Sequence, residues 1–170
     1  MMNELDKIGS KKLFDEIKRI IDKSRSLISS TVNSTLSATY WHIGKKIKTD
    51  LLKNKRAEYG KQVVENLSIR LTQEYGRGWS KQHLQHCLRF AETFSDYDIV
   101  STLWRQLSWS HFKILIYQEN EVKRGFYTQM CRIEKWSTRT LQDKIQSMLF
   151  ERTAISKKPE ELANNYLRNF

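Results

Sequence analysis

One proline, Pro159, and six glycines punctuate a chain of 170 residues. Breakers this scarce leave few sites for the tight turns that a β fold needs, so the chain is constrained towards helices. The pattern near the start agrees. From Lys11 to about Leu52 apolar side chains recur at helical spacing: Leu13, Ile17, Ile21, Leu27/Ile28, Val32, Leu36, Tyr40, Ile43, Ile47 and Leu51. The spacing predicts one long helix, with the polar Ser29-Ser30-Thr31 as a candidate kink. A helix of about 40 residues would be about 60 Å long. That exceeds the width of a compact domain of this size, so part of it is expected to project or to pair with a second copy. A break near residue 30 would remove that inference.

The rest of the chain reads as shorter helices. Asn54-Lys55-Arg56 suggests a turn, and Tyr59, Val63, Leu67, Leu71 and Tyr75 follow at four-residue spacing. Gly76-Arg77-Gly78 ends that helix where a left-handed cap is easiest. Ser80 is an N-cap candidate for a helix from Lys81 to Phe94 with Leu84, Leu88 and Ala91 inward, closed by Ser95-Asp96. A short helix from Val100 to Leu107 precedes Ser108, which suits the cap of a helix from Trp109 to Tyr117 with Phe112, Leu115 and Ile116 inward. Asn120 suits the next cap, followed by a stripe of Val122, Phe126, Met130 and Ile133. Ser137 suits the last strong one, with Leu141, Ile145 and Met148/Leu149 buried. Pro159 starts a weak final helix. The expectation is an all-α fold: a long N-terminal helix and a compact helix-turn-helix-like bundle. Residues 1–152 form the domain and 153–170 a polar tail.

A hydrophobic content of 39% with five tryptophans is enough for a packed core. The net charge of +11 attracts polyanions, with solubility charge on exposed helices as the plainer reading. The run from Lys45 to Lys61 clusters cations able to follow a phosphate backbone, diluted by Asp50 and Glu58. Two cysteines, Cys87 and Cys131, make no disulfide framework. No apolar run approaches the length that spans a bilayer, and the first residues carry no signal-peptide core. No membrane partner is expected, and a cytoplasmic location follows.

The candidate chemistries mostly fail on spacing. Ser110 and His111 are adjacent, so on a helix their side chains diverge, and no third group orients them. Ser108 as a cap with Trp109 as a core anchor accounts for the same Ser-Trp-Ser-His letters. His83, His86 and Cys87 have helical spacing for metal ligands, but no second cluster completes a site. The E-x-K triplets Glu16-Ile17-Lys18 and Glu121-Val122-Lys123 lie in helical patterns, not on the strands that nucleases use. No phosphate-binding glycine motif occurs, so no cofactor is implied.

The surviving constellation is helix, glycine turn, helix over 59–94. In a helix-turn-helix the second helix enters the major groove by its N-terminal residues. Here these are Lys81, Gln82, His83, Gln85, His86 and Arg89, after Arg77 in the turn. Gln and Arg suit base edges, while Arg77, Lys81 and Arg89 suit phosphates. A second hairpin, from Glu121 past Ser137, exposes Arg139 and Lys144. Spacing does not rank the two.

Five blocks carry a resemblance: VNSTLSATYWHIGKKI (32–47), EYGKQVVENLSIRLTQEYGRGWSKQHL (58–84), LSWSHFKILI (107–116), RGFYTQMCRIEKWSTRTLQDKI (124–145) and LFER (149–152). In this order they resemble the N-terminal domain of the bacterial YhcG family. The resemblance implies a helical, helix-turn-helix-like domain that binds DNA and usually precedes a nuclease domain of the PD-(D/E)xK type. It also places Ser-Trp-Ser-His in the non-catalytic part. Family members commonly carry arginines where this chain has Gln85 and His86, which bears on affinity or sequence preference. The ending NNYLRNF is similar to a worn lead-in to the nuclease domain, and no nuclease residue can be carried over. A truncated gene, a split system or a fragment would each account for this. The resulting expectation is a non-catalytic DNA-targeting module, with a nuclease subunit acting in trans as a possible partner. The alternative is an interaction or dimerisation module working through the N-terminal helix as a homo-oligomer.

Overall fold

A computed structural model describes the backbone of residues 4–53 and 57–156, and side-chain surroundings for 11–51 and 61–153. The described residues form eight helices and no strand. In order these are α1 (Glu4–Lys53), α2 (Ala57–Tyr75), α3 (Lys81–Thr93), α4 (Tyr97–Leu103), α5 (Trp109–Leu115), α6 (Glu121–Ile133), α7 (Thr138–Gln146) and α8 (Leu149–Ser156). The all-α expectation holds. The expected turn at 54–56 and the helix after Pro159 lie outside the described residues.

The helix ends follow their local chemistry. Gly76 and Gly78 take φ of 81° and 125°, a region that side-chain-bearing residues avoid, and so end α2. Asn120 Oδ1 accepts from Lys123 N at 2.9 Å, and Ser137 Oγ accepts from Thr140 N at 3.1 Å. Asp96, expected to close one helix, instead opens the next: its Oδ1 accepts from Asp98 N and Ile99 N. This carboxylate starts α4 at Tyr97, three residues before the expected Val100, and the helix stops at Leu103. The expected continuation from α7 to Leu149 also fails. Met148 adopts a left-handed φ of 54°, lies exposed, and separates α7 from α8.

The helix does not break at Ser29-Ser30-Thr31. α1 runs unbroken for 50 residues, about 75 Å at the standard rise. Only its C-terminal part joins the bundle. Ser37, Trp41, Gly44 and Ile47 are buried, whereas Leu13, Ile17, Ile21, Leu27, Ile28, Val32 and Leu36 are exposed. The single apolar stripe read from the sequence is therefore two faces. Helical periodicity without a break reads equally well as one stripe, and only the partner shows where the buried part begins.

α3 is packed by α1, α2 and α5 and contributes to both core clusters. Leu84 joins Ile47 and Val64 in one core cluster, backed by Leu67, Leu71 and Trp79. Phe90 and Ala91 join a larger cluster with Trp41, Trp104, Phe112, Phe126, Tyr127 and Leu141. The inward face of α3 is Leu84, Cys87, Phe90 and Ala91, with Leu88 only half-buried. On α6 the expected stripe is displaced as well: Val122 and Ile133 are exposed, while Phe126, Tyr127, Thr128, Gln129 and Cys131 are buried. The Tyr127 hydroxyl donates to Lys144 O at 3.3 Å, which turns that face towards α7.

Contact between α1 and α3 is close enough to exclude a side chain. A Cβ on Gly44 would lie 1.9 Å from the Cys87 carbonyl oxygen. Trp41 Nε1 adds a 2.7 Å donation to Phe94 O at the end of α3. Gly44→Ala must move one helix backbone against the other, and is expected to cost about 3 kcal/mol or more, the upper end for overpacking. Gly125→Ala, in α6 with nothing within 4 Å of its Cβ, should stabilise by about 0.5–1 kcal/mol. Urea unfolding of both variants checks the pair of opposite signs.

Candidate nucleic-acid interface

Ser80 positions the start of α3, its Oγ accepting from His83 N at 3.2 Å. The preceding turn is held by Ser68 Oγ, which donates to Trp79 O at 2.8 Å. Three helices, α1, α2 and α5, pack on α3. What remains outward is a narrow strip.

The candidate side chains divide on this frame. Arg77, Gln82 and Gln85 are exposed. Lys81 reaches across to α2 and pairs with Glu65. Such a surface pair is weak, so it can open to a stronger anion. Arg89 is built into the fold: Nε donates to Ile116 O at 2.9 Å, and the guanidinium lies 4.5 Å from the Tyr117 ring centroid. This caps the end of α5 and accounts for the half-burial of Arg89. His86 stands edge-on to Tyr117 at 5.8 Å.

His83 turns inward. Its ring sits at 4.6 Å from Tyr40 and 5.8 Å from both Trp79 and Trp109. It is half-buried and serves the packing of α1 against α3 and α5, so a base edge there would compete with its aromatic neighbours. Its Nε2 lies 3.7 Å from Cys87 Sγ. Burial pushes the Cys87 thiol up to about 12, so it is a neutral core group at ordinary pH. Among the described residues no group of three or more His, Cys, Asp and Glu could hold a metal ion.

Towards its C-terminal end the strip carries both signs. Gln85, Arg89, Glu92, Thr93 and Tyr117 line an open groove, and the exposed Glu92 opposes a phosphate there. The face suited to a polyanion is thus the N-terminal half of α3 with the glycine turn. On α7, Arg139 is exposed in the first turn, while Lys144 is half-buried with Nζ 5.8 Å from the Trp136 ring centroid. Being five residues apart, they diverge by about 140° around the helix and offer no common cationic face.

The Ser-Trp-Ser-His letters resolve into architecture. His111 Nδ1 meets Ser108 Oγ at 2.8 Å and Ser108 N at 3.2 Å, and its Nε2 meets Trp136 O at 2.9 Å. The carbonyl can only accept, so Nε2 carries the proton and Nδ1 accepts from Ser108. The pair Ser108/His111, three residues apart, is hidden in the sequence beside the adjacent Ser110/His111. The i, i+3 spacing is the signal that finds it. Lys123 of the second E-x-K triplet is likewise taken, 2.6 Å from Glu151 on α8.

The DUF1016 N-terminal domain matches residues 16–152. The chain belongs to that family. It is also similar to a protein of Escherichia coli (strain K12) named "Putative nuclease YhcG", 27% identical over 178 aligned positions. That alignment covers 87% of this chain and 48% of the relative, so the chain spans about half the relative's length. No solved structure matches. In this DUF1016 N-terminal domain no described helix is long and apolar enough to cross a membrane.

His83 and His86 both titrate below the usual histidine range. For His83 the causes are burial, then the charges of His86 and Lys113; for His86, burial and then Lys113. The unfolded chain therefore binds protons that the folded one refuses. Their contribution is full above about pH 6.5, the unfolded value, and is lost as pH falls through the lower folded values. His83→Phe keeps a ring in the aromatic cage and removes one titration. A shallower fall of Tm between pH 7 and pH 5 than in the wild type is the expected result of thermal melts.

Proposed function

We propose that this chain is a non-catalytic DNA-binding module that directs a nuclease activity carried on a separate domain or subunit. The observation that carries it is the outward strip at the start of α3. Gln82 and Gln85 are exposed there beside Arg77, on a helix held rigidly by three neighbours. Rigid presentation of amide side chains at a helix start suits adenine edges in a major groove. The net charge of +11 supplies the long-range attraction. The relative's printed name supports the link to a nuclease. The absence of catalysis in this part of the chain is supported by where the reactive groups are spent: Ser108 and His111 on a helix cap, Cys87 and Cys131 in the core.

Titration against labelled duplex DNA at several salt concentrations, with heparin as competitor, tests the reading. Binding should weaken steeply with salt yet retain a preferred sequence. Arg77→Ala should weaken all sequences alike and lower the salt slope by about 1. Gln82→Ala with Gln85→Ala should cost about 1–3 kcal/mol for each bidentate glutamine–adenine pair removed, on the preferred sequence alone. Unchanged binding in the glutamine variant moves the interface to α7 and Arg139. No binding at low salt overturns the proposal.

A further inference from the structure

The N-terminal part of α1 carries large apolar side chains that nothing in the described structure covers. Leu13, Phe14, Ile20, Leu27 and Ile28 are 58%, 65%, 66%, 68% and 64% exposed. Their order has a period. Leu13, Ile20 and Leu27 recur every seven residues, and so do Phe14, Ile21 and Ile28, with Ile17 between the first two turns. A seven-residue recurrence is the pattern of a helix that supercoils on another helix.

This line does not point at the bundle. Advancing 100° per residue, Ile17, Ser24 and Ile28 centre on a direction roughly opposite to that of Tyr40, Gly44 and Leu51. The change comes from the four-residue steps Ile28, Val32, Leu36 and Tyr40, each of which carries the stripe about 40° further round. The chain's own core can therefore reach this face neither by rotation nor by reach.

We propose that residues 13–32 of α1 pair, parallel and in register, with the same segment of a second copy of this chain. With Phe14, Ile21 and Ile28 as the a positions, Ile17, Ser24 and Thr31 fall at d. Ile21 and Ile28 are β-branched, as a positions of two-stranded coils commonly are, and the polar Ser24 and Thr31 at d fix the register. The hydroxyl of Ser24 already donates to Ile20 O at 2.9 Å, so the seam can enclose it without leaving it unpaired. The flanking charges choose the direction. Lys11, Lys18 and Arg25 repeat every seven residues along one edge of the stripe. In an antiparallel pair that edge would face itself, cation against cation. In a parallel pair Leu13, Ile20 and Leu27 face Lys18, Arg25 and Val32 of the second copy: two aliphatic stems and an apolar side chain, with the charged ends free to reach water. A parallel pair also places both bundles at one end, as two half-site readers require. That last consequence rests on the proposed function, whereas the pairing does not.

Sedimentation equilibrium of the full chain tests this without DNA. A dimer at micromolar concentration is expected, with Ile21→Lys and Ile28→Lys together shifting it to monomer. These positions are exposed in the single chain, so the near-ultraviolet circular dichroism of the bundle tryptophans should be unchanged in the variant. Thr31→Cys should form an intermolecular disulfide on mild oxidation, since position 31 meets its own copy only in a parallel pair; Cys87 and Cys131 are buried. A wild-type monomer at all concentrations overturns the proposal and gives this face to a different partner. So does a dimer indifferent to the lysine variants. A dimer that they dissociate but Thr31→Cys does not cross-link overturns the parallel geometry.

Discussion

The approach of α1 to α3 at Gly44 governs the rest of the molecule. With a hydrogen in place of a side chain, two helix backbones come into direct contact at the Cys87 carbonyl. Close contact on that scale fixes both the spacing and the crossing of the helices, because interiors packed this tightly do not deform continuously. Trp41 then reaches the end of α3, and the aromatic cage of Tyr40, Trp79, His83 and Trp109 fills the space beside the crossing. α3 has its buried face committed on three sides, so its orientation relative to the bundle is fixed as well. A surface made of Arg77, Gln82 and Gln85 is only useful for recognition if the helix beneath it cannot rock.

Polar groups that draw attention in the sequence mostly serve as fasteners. Ser108, His111 and the Trp136 carbonyl connect α5 to the segment before α7. Arg89 ties α3 to the end of α5 through a carbonyl and a tyrosine ring. Lys123 and Glu151 join α6 to α8, and the hydrogen bond from Lys123 holds the Glu151 carboxyl below its ordinary range. Several short helices need such links, since a helix of seven residues has little stability of its own.

Much of this was legible in the letters. Ser80, Asn120 and Ser137 announce helix starts because a short polar side chain has one strong local use there, and Gly76-Arg77-Gly78 announces an end. The less legible features depend on partners distant in sequence. Asp96 could close one helix or open another. Met148 and Lys135 take left-handed backbones that no local rule assigns to them. The α6 face is set by Tyr127 meeting a carbonyl on α7. Within the candidate site, exposure of Gln82 and Gln85 followed from helical phase, whereas the enclosure of His83 and the capping by Arg89 required knowing that Tyr40 and Ile116 lie alongside.

Because α1 passes from its exposed apolar line to its buried face without a break, residue count alone sets the angle between them. Adding or removing one residue between Val32 and Ser37 would turn the outer segment by about 100° and shift it by about 1.5 Å relative to the bundle. The helix is thus a protractor as well as a spacer. Within that short stretch the chain should tolerate substitutions far better than insertions or deletions, since only a change of length alters the heading of everything attached beyond it.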